Sequence, residues 1–201
     1  MRTATLIRKK TRKHQNGVSL IVVLMILTVV SIIGVAGVQI SLMSERGARN
    51  DRDMQTAWQT AEAALIDAEF DIFGPGSSSR RSVFENSVNI SSFITGCGTS
   101  GNSQGLCALV PSGKPAWLTV DFTATGNGAP TTAYGTFTNR AFQAGTGIQP
   151  SRAPRYVIEP IRDPADRDLS NPDPKYVFRV TAMGFGPRAD TQAVVQMIYR
   201  K

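Results

Sequence analysis

Residues 18–38 read VSLIVVLMILTVVSIIGVAGV, and the next charged side chain is Glu45. Only Ser19, Thr28, Ser31, Gly34 and Gly37 interrupt the apolar run. At about 1.5 Å of rise per residue, a helix of this length covers roughly 30 Å, the hydrocarbon thickness of a bilayer. Upstream lie Arg2, Arg8, Lys9, Lys10, Arg12 and Lys13, with no acid before residue 18. Basic residues stay on the cytoplasmic side, so the N-terminus is predicted to be cytoplasmic and Glu45 onward to lie outside. A secretory signal peptide has a shorter apolar region followed by small residues at a cleavage site. This run is longer and has no such site, so 18–38 is predicted to be a membrane anchor. The chain carries a formal net charge of +7, but without the six leader cations 16 bases face 15 acids. The basicity therefore belongs to the N-terminus, and a nucleic-acid partner loses its electrostatic footprint.

Helical character continues past the anchor. Met54, Ala57, Trp58, Ala61, Leu65, Ala68 and Ile72 recur at three- and four-residue spacing, the stripe of an amphipathic helix. Trp58 is predicted to join the core with this stripe. Glu62, Asp67, Glu69 and Asp71 fall largely between its positions, and Gly74-Pro75-Gly76 ends the pattern. One helix is thus expected over 18–73, apolar all round in its first half and on one side in its second. Residues 74–115 turn to Gly, Ser, Asn and Thr and hold both cysteines, Cys97 and Cys107. Outside the cytoplasm such a pair is most simply a disulfide, which stabilises by roughly 2.5–3 kcal/mol for a loop of this size. Strand-like runs follow at 116–124, 134–142, 156–161, 176–183 and 193–199, the last two joined as a hairpin through 184–190. The expected fold is α+β, with a meandering antiparallel sheet over 116–201 packed on the second half of the helix.

Several stretches carry a family resemblance. A basic leader ending in Gly17, then Val18-Ser19-Leu20-Ile21-Val22, resembles the class III signal of type IV prepilins. ERGARNDRD at 45–53 and AWQTAEAAL at 57–65 resemble the signature of PilX-type minor pilins. The C-terminal hairpin, with its Arg-Val-Thr-Ala core and final Tyr-Arg-Lys, is similar in style. The resemblance implies a type IV pilin-like fold and cleavage after Gly17 by a prepilin peptidase, with Val18 as the new N-terminus. It further implies a structural role in priming pilus assembly at the inner membrane, alongside other minor pilins, the major pilin and a tip adhesin. The head would then be periplasmic before entering the pilus. Major pilins carry a glutamate at the fifth mature position, where this chain has Val22. A subunit without that acid is unable to pair with the amine of a subunit above it, so a place at or near the tip is expected. Gly34 and Gly37 are read as points of softening or close helix packing in the filament. A tip pseudopilin of a type II secretion system and a membrane-tethered periplasmic binding domain are the alternative readings.

Catalytic look-alikes lack the groups their chemistry needs. Gly101-Asn102-Ser103-Gln104-Gly105 fits the G-x-S-x-G pattern of hydrolases, yet the single histidine, His14, lies in the leader. Gly96-Cys97-Gly98-Thr99-Ser100-Gly101 fits G-x-G-x-x-G, with no strand before it or helix after it. The loop RDPADRDLSNPDP at 162–174 alternates Asp166, Asp168 and Ser170 but has neither the central glycine nor the twelfth-position glutamate of a calcium loop. No enzyme activity, cofactor or metal is expected. The domain organisation is read as a leader over 1–17, a helix over 18–73, a disulfide loop over 74–115 and a sheet head over 116–201.

Overall fold

The computed structural model describes residues 18–74, 80–85, 87–167 and 174–200. The expected cleavage residue Gly17, and Asp168 and Ser170 of the 162–174 loop, lie outside the described residues. The chain divides into two compact units, the first ending at Ala48 and the second beginning at Arg49.

Helix α1 spans Val18–Phe73, as its periodicity predicts. Gly74 stops it: the Gly74 N–H bonds the Phe70 carbonyl at 3.0 Å, and a Cβ at this position would collide with that oxygen. In the first unit the apolar side chains of α1 are exposed on every side. In the second unit Ala57, Ala61, Ala64, Leu65, Ala68 and Ile72 are buried. The small residues matter for distance. At Gly184 a Cβ would meet the backbone of Ala57 and Ala61 and the Thr60 hydroxyl, so the strand carrying Gly184 lies directly on the helix backbone.

Four strands form one antiparallel sheet in chain order: β1 (Thr132–Ala133), β2 (Arg155–Arg162), β3 (Tyr176–Phe185) and β4 (Gln192–Arg200). The β3–β4 hairpin forms as predicted. Tyr156, Ile158, Phe178, Val180 and Ala182 face α1 and share a core with Leu65, Ile72, Phe84 and Leu106. Val157 on the opposite face packs with Cys97, Cys107, Ala116 and Phe122. Both faces of β2 are therefore covered, which explains its run of six buried residues where a half-buried strand would alternate. The loop that covers the second face is closed by the Cys97–Cys107 disulfide. It docks on β2 through Cys107 N–H to the Ile158 carbonyl and Ile158 N–H to the Gly105 carbonyl, both 2.9 Å.

Three sequence expectations are corrected. Residues 116–124 are not a strand. Ala116–Thr119 forms a one-turn helix, α2, after Pro115, and the Asp121 carboxylate then accepts the Thr123 N–H at 2.7 Å, an Asx turn that redirects the chain. Residues 134–138 are turns and 139–142 have no regular structure, and the strand next to them is the two-residue β1. Gly135, at φ +78°, reverses the chain so closely that a Cβ would strike the Arg140 carbonyl. Trp58 is 49% exposed rather than core, with its indole N–H donated to the Glu62 carboxylate at 2.7 Å. Its apolar spacing places it at the margin of the buried stripe, where the helix already faces solvent.

Candidate assembly helix and buried charge cluster

Along the apolar part of α1 each hydroxyl that the structure places in a bond satisfies it within its own helix. Thr28 Oγ1 donates to the Met25 carbonyl at 2.8 Å, and Ser31 Oγ to the Leu27 carbonyl at 2.7 Å. Such back-bonding lets a hydroxyl enter hydrocarbon without an unpaired donor. Val18 and Val22 are exposed, and Cβ atoms added at Gly34 or Gly37 would meet open space. Among the described residues α1 is the one helix long and apolar enough to cross a membrane, and its place near the N-terminus fits an anchor. What Gly34 and Gly37 provide is room: a neighbouring helix could approach the backbone there as closely as small residues allow.

The second unit holds a polar centre that its sequence pattern did not reveal. Asp71 and Arg80 are both fully buried and form an ion pair. Arg80 Nε lies 2.9 Å from one Asp71 oxygen, and the Tyr156 hydroxyl donates to the same oxygen at 3.0 Å. Beyond Asp71, Arg80 Nη1 donates to the Gln104 carbonyl at 2.5 Å, and the guanidinium stacks 3.8 Å from the Phe137 ring centre. Arg80 thus ties together α1, the disulfide loop and the turn after β1. Burial, followed by the Asp71 charge, pushes the Tyr156 phenol well above its ordinary pKa. Tyr156 therefore stays a proton donor to Asp71.

One helical turn earlier, Asp67 accepts the Gly135 N–H at 2.7 Å and the Thr138 hydroxyl at 2.5 Å, and Arg140 approaches it at 3.9 Å. Burial raises its pKa despite these donors. On the other face of the sheet Arg179 Nε meets the buried Glu159 at 2.9 Å. Arg155, whose pKa burial lowers, donates to the Thr131 hydroxyl and carbonyl, both 2.6 Å. Asp71, Arg80 and Tyr156 have no path to solvent, so they hold elements together and are closed to any substrate. Their cost of burial is offset only because each charge is met by an opposite charge and by further donors.

Sequence reasoning read Asp67 and Asp71 as lying largely between stripe positions and did not single out Arg80 or Tyr156. A signal was available: Asp71 follows Ala64 by seven residues and Ala68 by three, which places it on the alanine stripe. Ser103, the serine of the hydrolase-like pattern, lies in a 3-10 turn. Among the described residues no cluster of metal-ligating side chains occurs.

Comparison with protein families gives two matches. The model described as the C-terminal part of type IV pilus assembly protein PilX matches residues 103–201. The model described as PilX N-terminal matches residues 16–65. No curated protein and no solved structure matches the chain.

Proposed function

Because the chain belongs to the PilX family of type IV pilus assembly proteins, we propose that it is a minor pilin that primes the pilus and occupies its tip. The family is a structural component of the pilus, and its members work with other pilus components in assembly. The finer steps are the proposal. The leader, residues 1–17, directs the chain into the inner membrane with its N-terminus in the cytoplasm. A prepilin peptidase cuts after Gly17 and frees Val18 as the new N-terminus. The helix then leaves the bilayer and packs, through Gly34 and Gly37, among the helices of other minor pilins and the major pilin, beneath a tip adhesin. Within this scheme residues 18–38 anchor, 18–73 form the assembly helix, 74–115 the stapled loop and 116–201 the head.

The observation that carries this reading is the charge-free start of α1. From Val18 to Ser44 no side chain is ionisable, and the apolar surface is exposed on all sides. Such a surface needs lipid or other helices around it throughout the protein's life. Tip placement follows from Val22, the position at which the pilin resemblance implies an acid. Burying a carboxylate near the centre of a membrane helix costs roughly 2.5–3.5 kcal/mol on insertion scales. Position 22 lies near the start of the span, so Val22 avoids only part of that cost, and a subunit carrying it has also lost the group that would bind a subunit above it.

Intact mass and N-terminal sequencing of the full chain, expressed with and without a prepilin peptidase, test the scheme. A mature chain beginning at Val18 only when the peptidase is present is the expected outcome. A chain that keeps residues 1–17 in both strains would favour the tethered periplasmic domain instead.

A further inference from the structure

The sheet has two long edges, and only one is guarded. On the β2 side, Asp163 N–H bonds the Lys175 carbonyl at 2.9 Å, which sets the parity of the β2–β3 ladder. Even-numbered β2 residues therefore point their backbone groups away from β3. Each of the first three is accounted for: Tyr156 pairs with Thr132 of β1, Ile158 is bonded by Gly105 and Cys107, and Pro160 has no N–H to offer.

On the β4 side, Gly186 N–H bonds the Thr191 carbonyl at 2.8 Å, and the register runs unbroken to Arg200. Ala193, Val195, Met197 and Tyr199 therefore turn their backbone groups to β3, while Val194, Gln196 and Ile198 turn theirs outward. Among the described residues no backbone group bonds that outward row. No proline, bulge or charged side chain interrupts residues 193–199. Val194 and Ile198, at the two ends of the free row, are 47% and 61% exposed. Native sheets blunt such edges by one of these devices, and this one is left as a template.

We propose that β4 accepts an extended strand from a different subunit of the pilus assembly, paired along residues 194–198. The proposal rests on the reading of the chain as an assembled minor pilin. The occupant is a strand because a row of alternating N–H and C=O groups is matched by another backbone at the same spacing. It carries apolar side chains at alternate positions, to cover Val194 and Ile198. It comes from another kind of subunit because two-fold pairing of β4 with a second copy closes a dimer and leaves no edge for a mixed assembly.

The test keeps the full chain in a piliated cell. Val194→Pro removes an outward N–H, which an edge tolerates, whereas Val195→Pro removes one that β3 needs. Val194→Pro is expected to accumulate in membranes with its disulfide intact yet fall about tenfold in sheared filaments. The double variant Val194→Lys, Ile198→Lys keeps every N–H and is expected to show the same loss, which covers the case of a proline variant that fails to fold. A photoreactive phenylalanine at Ile198 should link to alternate residues of one stretch in a different pilus subunit. Wild-type recovery of both variants in filaments overturns the proposal, as do photoproducts with a second copy of this chain. Absence of the wild-type chain from filaments would instead overturn the pilin reading on which the proposal stands.

Discussion

Thr28 and Ser31 in the apolar part of α1, and Asp67 and Asp71 further along the same helix, answer one demand in two ways. Asp67 and Asp71 lie buried in the core of the head, and on the proposed route Thr28 and Ser31 meet lipid or neighbouring helices, so each faces surroundings that exclude water. The hydroxyls turn back onto carbonyls three and four residues earlier, so that part of the helix needs nothing from elsewhere. The carboxylates reach out, Asp71 to Arg80 and Tyr156, and Asp67 to Gly135 and Thr138. A segment proposed to pass between environments keeps its polar bonds internal, while a segment that belongs to one fold uses them to join distant parts of the chain. That division also suits the proposed route, in which the first part exchanges lipid for protein and the second is never exposed.

The strongest way to break the comparison is to remove the cation that Asp71 depends on. Arg80→Met keeps the volume of the stem but leaves a fully buried carboxylate without its counter-charge, at a cost of about 3–5 kcal/mol. Denaturant unfolding of the full chain in detergent, followed through Trp58 and Trp117, would register the loss. The double variant Arg80→Met, Asp71→Leu should recover much of it, because two apolar residues need no partners. If Arg80→Met unfolds no more readily than wild type, the cluster is not what holds α1 to the disulfide loop.

How much of this was legible in advance depends on the range of the interaction. The anchor, the helix end at Gly74 and the β3–β4 hairpin follow from local pattern, because apolar period and turn residues are read within a few positions. The ion pair joins residues nine apart across the segment that ends α1, and Arg80 meets Gln104 and Phe137 only after the loop has folded. No spacing in the sequence encodes that meeting. The misassigned runs at 116–124 and 134–142 fail for a related reason. The apolar residues of 116–124 alternate as a strand's would, and 134–142 is rich in aromatic residues and threonine, but an Asx turn at Asp121 and the latch of Asp67 on Gly135 and Thr138 bend the backbone instead. Trp58 shows the limit of stripe counting: at the margin of a buried face, an angular difference of one position decides between core and solvent.

A smaller effect sharpens the comparison through pH. Burial raises the folded pKa of Asp67 above its unfolded value, so the native state holds this proton more tightly than the unfolded chain does. The sign is opposite to that of a carboxylate stabilised as an anion. The contribution of Asp67 to stability is fully present below its unfolded pKa and is lost as pH rises through its folded one. Asp67→Asn cannot ionise, and it can still accept from Gly135 while donating to Thr138, whose hydroxyl rotates. Relative to this variant, wild type should lose stability between about pH 4 and neutrality. A variant less stable than wild type at pH 7 would mean that the donors around Asp67, Arg140 included, outweigh its burial.

The smallest expected effect lies in the other half of the helix, where it has the most to say about assembly. Thr28→Val and Ser31→Ala delete hydroxyls whose partners are carbonyls of the same helix. Those carbonyls remain available to the N–H groups four residues on, so no buried acceptor is stranded. The unfolding midpoint of the head should stay where it is, and so should the amount of full chain recovered in sheared filaments. The comparison would fail if either substitution left the membrane level unchanged but depleted the chain from filaments. The hydroxyls would then be exchanging their internal bonds for bonds to neighbouring helices, as polar groups between membrane helices do at about 1–2 kcal/mol each in model peptides. In that case the apolar part of α1 would depend on its partners just as Asp71 depends on Arg80, and self-sufficiency would describe the membrane stage alone.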